Sequence, residues 1–291
     1  MYLKNWLKKY IALPAQRSIA FHDELCMKLD ELSRKIDSLT LSLDKNIVTT
    51  KMFCVACGKE SAKFLPSGVD RRPNVKCPSC HSLERHRALW FYFENSTDIF
   101  KHNIGIDRQI IKLLHFGPEK AFYDKFSNIS YIDYYPVDLK PKRYANIHLR
   151  DVVDIQNIPY PDNHFDLIIN IHVLEHIPDD KKAMKELQRV IKPGGSAFIS
   201  VPMSDIEDTL ENPAYDTDEL RLKHYGQRDH LRRYSQRTFP NLLKKAGFDV
   251  SEINLTQGIS EDELKRLGLA RNEKMFLCSK NIALQSKVEA S

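Results

Sequence analysis

Four cysteines stand in two pairs whose spacing predicts a metal site. Cys54 and Cys57 form one Cys-x-x-Cys pair, and Cys77 and Cys80 form a second pair after 19 intervening residues. Two such pairs supply four thiolates that can surround one Zn²⁺ tetrahedrally, and a reducing compartment disfavours disulfides between them. Because four thiolates leave no open coordination position, the predicted zinc is structural. His81, next to Cys80, is a weaker alternative ligand.

A polar segment at 225–234, YGQRDHLRRY, supplies side chains suited to acid–base chemistry. Asp229 and His230 are adjacent in it, and Arg232 and Arg233 follow. A histidine that is mostly unprotonated at neutral pH can accept a proton from a substrate, and an arginine can hold an anion. We therefore take Asp229 and His230 as candidate catalytic residues. An ordinary solvated surface loop is the competing interpretation.

A third pattern, His172-x-x-Glu175-His176, matches the HxxEH motif of zinc proteases. That motif needs a helix to aim both histidines at one metal, whereas His172 falls at the predicted end of a strand and Pro178 follows closely. A protease is therefore a poor interpretation. His172 stays a candidate general base. Glu175 and His176 are competing base candidates, but they are expected to act as packing and capping groups.

The remainder of the chain alternates short β-rich segments with helical patterns. The strands are predicted at 110–115, 134–138, 147–152, 165–171, 196–202, 248–255 and 274–279. The helix at 179–191 is delimited by Pro178 on one side and by Pro193 with Gly194 on the other. Seven strands with intervening helices predict an α/β fold, a doubly wound, Rossmann-like seven-stranded sheet.

Doubly wound sheets bind ligands at the carboxyl ends of their strands. The first strand ends in His115-Phe116-Gly117-Pro118-Glu119, which lacks the G-x-G-x-x-G fingerprint of dinucleotide sites, and the chain has no Walker GK[ST]. Gly117 still permits a tight turn. Asp138 lies 19 residues after Glu119, a spacing that suits a carboxylate accepting from ribose hydroxyls. A turn aspartate ahead of Lys140 is the alternative.

The segment from about 108 to 203 resembles the class I S-adenosylmethionine-dependent methyltransferases, the type 11 group in particular. The resemblance is strongest in DIQNIPYPDNHFDLIINIHVLEHIPDD and in RVIKPGGSAFISVP. It implies that the turn from His115 through Gly117 to Glu119 contacts the methionine end and the ribose. It also implies ribose contact by Asp138, adenine contact by Asp154 and Ile155, and contact with the methionine moiety by Asn170 and Ile171.

One methyltransferase subgroup is similar in further segments. Its members carry a His-Phe-Ala-Pro-Glu loop, a Ser-Leu-Glu-Arg-His-Arg run after a zinc-binding module and a Gly-Gln-x-Asp-His-x-Arg run. Here the last two read Ser82–Arg87 and Gly226–Arg232. Members of this subgroup often occur among surface-glycan genes, which is an association and not a site argument.

Four parts are predicted along the chain. Residues 1–50 form an amphipathic helix and a short coiled coil, 51–82 the four-cysteine zinc module, 83–280 the methyltransferase domain and 281–291 a flexible tail. The helix at 1–13 could rest on an anionic membrane surface, but packing on the protein itself is favoured. The leucine-rich seam at 25–43 has a/d heptad spacing, so a homo-oligomeric coiled coil and docking on the main domain stay equal alternatives.

Composition restricts the class of protein further. The 291 residues are 42% hydrophobic and 29% charged, which is typical of a globular chain. No apolar run approaches the ~18 residues that span a bilayer, and the first ten residues carry charges where a signal peptide needs an apolar stretch. We expect a cytoplasmic protein. The net charge of +5 is carried by residues 51–90, which hold eight basic and three acidic residues and so predict an anionic partner or a solvated basic surface.

These observations lead to three hypotheses of function. The first is an S-adenosylmethionine-dependent O-methyltransferase of a sugar, glycan or other small molecule, in which the zinc module shapes acceptor access. The second is an RNA methyltransferase whose basic module contacts phosphates. The residues concerned are Lys51, Lys63, Arg71, Arg72, Lys76, Arg85 and Arg87. The third is a scaffold that has lost cofactor binding.

Overall fold

A computed structural model describes residues 51–68, 70–96 and 110–281, together with five helical positions between 28 and 36. The predicted helix at 1–13, most of the seam at 25–43 and the tail beyond 281 lie outside the described residues. Two seam positions, Leu32 and Ile36, are described, and both side chains are exposed. Across the described ranges, no helix combines the length and the apolarity that a bilayer crossing requires.

The cysteine-bearing module consists of two short antiparallel hairpins. Its strands are β1 (Met52–Cys54), β2 (Lys59–Ser61), β3 (Leu65–Ser67) and β4 (Arg72–Lys76). β1 pairs with β2 and β3 pairs with β4. Strands of three to five residues bury little apolar area, so the module needs another source of stability.

A seven-stranded sheet forms the body of the molecule. The remaining strands are β5 (Ile111–Phe116), β6 (Ile132–Asp138), β7 (Asp151–Val152), β8 (Phe165–Ile171), β9 (Ile191–Ser200), β10 (Met203–Ser204), β11 (Tyr234–Ser235), β12 (Asp249–Asn254) and β13 (Lys274–Ser279). The sheet order is β12-β13-β9-β8-β5-β6-β7. β13 is antiparallel to both of its neighbours, and the other pairs are parallel. β10 and β11 form a separate parallel pair.

Six α-helices connect and cover the strands. They are α1 (Glu84–Ser96), α2 (Lys120–Phe126), α3 (Asp180–Val190), α4 (Asp218–Tyr225), α5 (Phe239–Lys245) and α6 (Glu261–Leu267). Two 3₁₀ turns, Pro141–Arg143 and Leu174–His176, follow β6 and β8. Both turns therefore stand at the carboxyl edge of the sheet, where ligands of doubly wound folds bind.

The predicted sheet is confirmed, with local differences. All seven predicted segments form strands, although the third is reduced to two residues. The helix predicted at 179–191 ends at Val190, and β9 begins at once with Ile191 opposite Phe165. The register then jumps, because Leu167 pairs with Ser196, so the Pro-Gly-Gly segment bulges out of the strand instead of forming a loop before it.

Two apolar layers sandwich the sheet, as alternation along the strands requires. Leu114 and Ile168 face one layer with α3 and α5, while their neighbours Leu113 and Ile169 face the other layer with α1, α2 and α6. These four side chains are completely buried. The central strands are apolar on both faces, which is the pattern of a parallel sheet that helices cover on both sides.

Arg87 attaches the cysteine-bearing module to the rest of the fold. This arginine is fully buried, and its guanidinium donates to the carbonyls of Ser82 at 2.6 Å, Val75 at 2.9 Å and Leu267 at 3.1 Å. It also lies over the Phe64 ring, 4.4 Å from the ring centre. Because the buried cation satisfies carbonyls from both parts, the module is held against α6.

Candidate functional site

The four paired cysteines come together as one cluster. The Sγ atoms of Cys54 and Cys80 are 3.6 Å apart, those of Cys57 and Cys77 are 3.8 Å apart, and all four lie within 4.8 Å of one another. Four thiolates bound tetrahedrally at the usual Zn–S distance of ~2.3 Å would be ~3.8 Å apart. A disulfide requires ~2.05 Å, so the sulfurs are spaced for an ion and not for a bond.

Both cysteine pairs end in the same backbone turn. Gly58 follows the first pair with φ +71°, and its N–H donates to the Cys54 carbonyl at 2.7 Å. His81 follows the second pair with φ +61°, and its N–H donates to the Cys77 carbonyl at 3.0 Å. His81 therefore occupies the left-handed position that favours glycine, and its side chain is exposed. In the described part of the chain, the ligand cluster consists of the four cysteines without it.

A cavity of about 400 Å³ opens at the carboxyl edge of β5, β6 and β8. Its wall includes the turn after each of these strands and the 3₁₀ turn after β8. The lining residues are Phe116, Gly117, Asp138, Leu139, Lys140, Arg143, Tyr144, Val153, Asp154, Ile155, Gln156, Ile171, His172, Val173, His176, Ile177, Pro178 and Asp229. Five of the eight predicted cofactor contacts are among them, as are two of the three predicted catalytic residues.

At Gly117 the backbone in the cavity wall passes close to the side chain of Val173. Its φ is +62°, and its N–H donates to the Val137 carbonyl at 3.1 Å. A Cβ at this position would lie 3.2 Å from Cγ2 of Val173 on the opposite side of the turn. The site therefore needs glycine for both its backbone angle and its space, even though the longer glycine-rich fingerprint is missing.

Asp138 and Asp154 present carboxylates that are held by their own turns. Asp138 accepts from the Lys140 N–H at 2.7 Å and from the Tyr144 hydroxyl at 2.6 Å. Asp154 accepts from the Gln156 N–H at 2.8 Å. An ionised carboxylate has about four acceptor positions, so each group can accept a further ligand hydroxyl or amine. Asp138 therefore forms part of its own turn and also lines the cavity.

His115 and Glu119 are predicted cofactor contacts that the structure places behind the cavity wall. His115 is fully buried, with Nδ1 2.8 Å from the Tyr134 hydroxyl and Nε2 3.0 Å from Glu119 Oε2. Glu119 Oε1 lies 3.0 Å from Nε2 of His86. Burial alone would raise the pKa of Glu119, but the two histidines outweigh it and lower that pKa. We correct the prediction for both side chains: they support the turn that carries Gly117.

Asn170 is the third predicted contact whose side chain does not reach the cavity. It is fully buried in β8, and neither atom of its amide has a hydrogen-bond partner among the described residues. The hydroxyl of Ser200, at the end of the neighbouring β9, is likewise buried without a partner there. The strand residue that follows, Ile171, does line the cavity, because successive strand side chains point to opposite faces.

Asp229 and His230 do not act on each other as their adjacency suggests. The imidazole beside Asp229 is that of His176, whose Nδ1 is 3.0 Å from the Asp229 carbonyl and 3.3 Å from its carboxylate. His230 is 4% exposed, and its ring stands nearly perpendicular to that of His176 with centres 4.8 Å apart. Sequence adjacency left open whether Asp229 orients His230 or turns away from it; in the structure Asp229 turns away and contacts His176, and His230 lies behind them.

His172, the other candidate base, lines the cavity in a strained backbone conformation. Its φ is +53°, which is uncommon for a residue with a side chain and costs on the order of 1 kcal/mol or more. Its N–H donates to the Ser200 carbonyl at 2.9 Å, which holds the strained turn in place. Burial lowers the pKa of the imidazole well below its usual range, so His172 is neutral at physiological pH.

Glu175 and His176 belong to the site, contrary to the expectation that they only pack and cap. His176 lines the cavity. The Glu175 side chain is 1% exposed, neither of its oxygens has a hydrogen-bond partner within the described part of the chain, and burial raises its pKa to about 8. Oε1 of Glu175 lies 3.5 Å from Nδ1 of His172. The HxxEH pattern was the signal in the sequence that these residues lie together. A 3₁₀ turn carries Glu175 and His176 here, in place of the helix of a zinc protease.

Arg232 and Arg233 do not form the predicted anion-binding group. Arg232 is buried and donates to the carbonyls of Leu174 at 3.1 Å and Pro178 at 2.9 Å, and to Glu211 at 2.7 Å. It fastens the 225–234 segment to the 3₁₀ turn after β8. Arg233 is exposed and donates to a serine hydroxyl away from the cavity. Arg143 lines the cavity instead, 3.8 Å from the Asp229 carboxylate.

The basic module offers less free positive charge than its composition indicates. Arg87 is engaged in the internal contacts described above, and Arg85 is half-buried in the first turn of α1. Arg72 forms a two-pronged bond with Glu84, and Lys51 pairs with Glu60. These pairings reduce the surface that a phosphate backbone could contact.

Comparison with known proteins agrees with the fold. Residues 87–253, more than half of the chain, match the family Methyltransf_23, described as "Methyltransferase domain". The chain is 36% identical over 95 residues to sterol 4-C-methyltransferase strm-1 of Caenorhabditis elegans, covering 31% of this chain and 26% of that protein. It is 31% identical over 132 residues to the ubiquinone/menaquinone biosynthesis C-methyltransferase UbiE of Vibrio cholerae, covering 40% and 49%.

Among solved structures, the chain is similar to the YcgJ protein of Bacillus subtilis, with a TM-score of 0.40 and 16% identity over 67% of this chain and 99% of that one. The chain spans only about a quarter to a half of the length of the curated relatives named above. The matched family model is group 23, where the sequence resemblance indicated group 11. The seven-stranded sheet, its ligand cavity and the match over residues 87–253 lead to one conclusion: the chain belongs to the methyltransferase-domain family, within the class I, S-adenosylmethionine-dependent fold.

Proposed function

We propose that the chain is an S-adenosylmethionine-dependent methyltransferase that binds its cofactor in the 400 Å³ cavity. The observation that carries the proposal is the Gly117 turn at the head of that cavity, with two acidic turns beside it. A backbone turn without a phosphate-binding glycine run suits a ligand that has a ribose and an amino acid but no pyrophosphate.

Each part of the wall has a role in holding this cofactor. The Gly117 turn takes the methionine end, Asp138 accepts from the ribose hydroxyls, and Asp154 with Ile155 contacts the adenine. Ile171 lies under the methionine moiety at the end of β8. When bound, the cofactor supplies an activated methyl group on its sulfonium. The remaining chemistry is the alignment of a nucleophile at ~3 Å and the exclusion of water.

The acceptor is proposed to enter beside the turn after β8, where His172 and His176 line the wall. A hydroxyl nucleophile must lose a proton during transfer, and a neutral imidazole within reach can accept it. Asp229, which contacts Nδ1 of His176, orients that ring. We infer that oxygen of a sugar, glycan or other small molecule is the methylated atom, although the two curated relatives named above are C-methyltransferases by name.

The cysteine cluster is proposed to hold a structural Zn²⁺. The sulfur separations of 3.6 and 3.8 Å match a tetrahedral tetrathiolate ion. The Ser82 hydroxyl lies 3.3 Å from Cys54 Sγ and 3.2 Å from Cys80 Sγ, so it can donate to one thiolate and steady the cluster. With its four positions filled by protein, this ion has no direct part in methyl transfer.

Calorimetric titration with S-adenosylmethionine tests the proposed function. Binding of one equivalent by the full chain is expected, together with weaker binding by Asp138→Ala. The control is Asp124→Ala, which removes an exposed carboxylate paired with Lys120 on α2, outside the cavity wall. Absence of heat at high cofactor concentration, with an intact fold, would favour the scaffold hypothesis instead.

The acceptor class is tested separately by a methyl-transfer screen with activated sugars, glycans and RNA. Transfer to an oxygen of a small molecule is expected. RNA remains the alternative acceptor, and binding that weakens steeply with salt would support it, because phosphate contacts release counterions. No RNA binding even at low salt would eliminate that alternative.

A further inference from the structure

We propose a second metal site, for one divalent transition-metal cation, formed by Glu175, His176 and His230 at the acceptor end of the cavity. One ligand atom from each side chain lies within 4.8 Å of the others. This group is separate from the cysteine cluster. The proposed cofactor-binding residues and the proposed structural zinc both leave its three side chains unused as ligands. The proton-acceptor role proposed for His176 belongs to the ion-free site; with the cation bound, both of its ring nitrogens are engaged and His172 is the proton acceptor.

The carboxylate of Glu175 is the strongest reason for an ion at this place. It is 1% exposed, and the described residues provide neither of its oxygens with a hydrogen-bond partner. A buried carboxylate without partners is costly unless it is paired or coordinates a metal. Arg232, a buried arginine that contacts this turn, directs its terminal nitrogens at carbonyls and at Glu211 instead.

His176 is oriented as a metal-binding histidine is, and His230 lies beside it. A ligating imidazole usually gives its second ring nitrogen to a carbonyl or a carboxylate. Nδ1 of His176 is engaged in this way by Asp229, which leaves Nε2 on the side of Glu175, 4.0 Å from Oε1. The His230 ring stands edge-on to the His176 ring with centres 4.8 Å apart, and one of its nitrogens lies within 4.8 Å of the ligand atoms of Glu175 and His176.

The spacing needs only small side-chain adjustments to close on an ion. Nitrogen and oxygen ligands at ~2.0–2.2 Å from a tetrahedral ion lie ~3.3–3.6 Å apart. The observed separation of His176 Nε2 and Glu175 Oε1 is 4.0 Å, and Nδ1 of His172 is 3.5 Å from the same oxygen. The three-residue group leaves the fourth position to a molecule in the cavity.

The ligand types indicate which cations the site takes. Two imidazoles and one carboxylate suit Zn²⁺, Co²⁺ or Fe²⁺, whereas Mg²⁺ and Ca²⁺ favour oxygen ligands alone. Three protein ligands leave an open position, as in catalytic metal sites. Because His176 and Asp229 also line the cavity, that open position would face the acceptor, and a bound hydroxyl could be held there by the cation.

Titration of the full-length, reduced protein with Co²⁺ tests the site, after zinc has been supplied to saturate the cysteine cluster. We expect one further equivalent of Co²⁺, with weak d–d absorption and without the intense near-ultraviolet thiolate bands of a cysteine site. Glu175→Gln and His230→Ala are each expected to weaken this binding ~10–100-fold or more, on the scale of a disturbed metal shell. The control His148→Ala removes a histidine outside the cavity wall and should bind as the parent does.

Cysteine-bound zinc and circular dichroism, measured on the same samples, show whether each variant is folded. Equal Co²⁺ uptake by the parent and by folded Glu175→Gln would overturn the proposal. Thiolate bands that account for all bound Co²⁺ would overturn it as well. The result is independent of the proposed function, since the titration contains no cofactor or acceptor, and a parallel S-adenosylmethionine titration reports on the cavity separately.

Discussion

The cysteine cluster and the cavity cluster are both groups of metal-type ligands, but they are assembled in opposite ways. The cysteine cluster draws its ligands from two tight turns within 27 residues, and each turn places two sulfurs by local backbone geometry. The cavity cluster takes Glu175 and His176 from one 3₁₀ turn and His230 from a segment more than fifty residues later. The first is closed by four thiolates, and the second opens on a cavity.

Local turns position the ligands of the cysteine cluster, and tertiary contacts position those of the cavity cluster. A closed site made from local turns can fold as a unit with its ion, and its free energy of binding is then free energy of folding. The cavity cluster depends on the sheet and on the Arg232 contacts that fasten the 225–234 segment. Strain at His172 and the bare carboxylate of Glu175 are destabilising features that the surrounding fold maintains, as is common at functional sites.

The largest effect is expected from removing one thiolate of the closed site. Cys77→Ser should lower the zinc content and the free energy of unfolding together, by several kcal/mol, because metal binding and local folding are linked. Zinc analysis and denaturant unfolding under reducing conditions measure both. Cys278→Ala, which alters a buried thiol in the sheet core, should keep its zinc. Purified parent protein without stoichiometric zinc would show that the cysteine cluster does not hold the proposed ion.

The next largest effect is expected at the open site. His176→Ala should lower kcat by ~10²–10⁴ and leave affinity for the cofactor nearly unchanged, which is the signature of a lost proton acceptor. The measurement uses an acceptor found in the methyl-transfer screen. Near-normal turnover by a folded His176→Ala protein would move the base to His172. The structure predicts a larger loss for His176 than for Asp229→Asn, because Asp229 acts through that ring.

A moderate effect is expected where the cavity holds the ribose. Asp138→Ala should weaken S-adenosylmethionine binding by ~1.5–3 kcal/mol, about the value of a charge-assisted hydrogen bond. Asp138 also accepts from Tyr144, so Tyr144→Phe is the companion variant that removes only the internal bond. Equal affinities of parent and Asp138→Ala would mean that the ribose lies at another strand end.

The smallest effect is expected at the turn of the second cysteine pair. His81→Gly should change the free energy of unfolding by less than about 1 kcal/mol, because relief of the left-handed backbone angle is offset by the entropy of glycine. The zinc content should stay the same, since the four cysteines complete the cluster. Loss of zinc in this variant would show that His81 is a ligand. The cysteine cluster would then be a mixed site of thiolates and an imidazole.

Local spacing in the sequence predicted a large part of this molecule. The Cys-x-x-Cys pairs, the seven strands and the turn at Gly117 depend on short-range rules: turn geometry, strand alternation and the ends of parallel strands. These rules act over a few residues, so a single sequence contains them. Asp154 and Ile171, which also line the cavity, were implied by the resemblance to the methyltransferase family.

Side-chain partners across the fold could not be predicted in the same way. Adjacency in sequence suggested Asp229 with His230, yet the backbone turns Asp229 toward His176 and leaves His230 behind it. Arg232 looked like an anion clamp, yet its guanidinium satisfies carbonyls of a turn more than fifty residues away. His115 and Glu119 occupy the expected motif position, but Glu119 contacts both His115 and His86 of α1, and neither side chain lines the cavity.

The sequence by itself determined the sheet, the cysteine cluster and the edge of the sheet at which the cavity opens, because each follows from periodicity, from spacing within one turn or from where parallel strands end. Only the tertiary structure decided which charged groups face the cavity and which are buried against carbonyls. The physical reason is that a buried polar group must find its partner wherever the fold supplies one, and that partner is set by packing and not by distance along the chain.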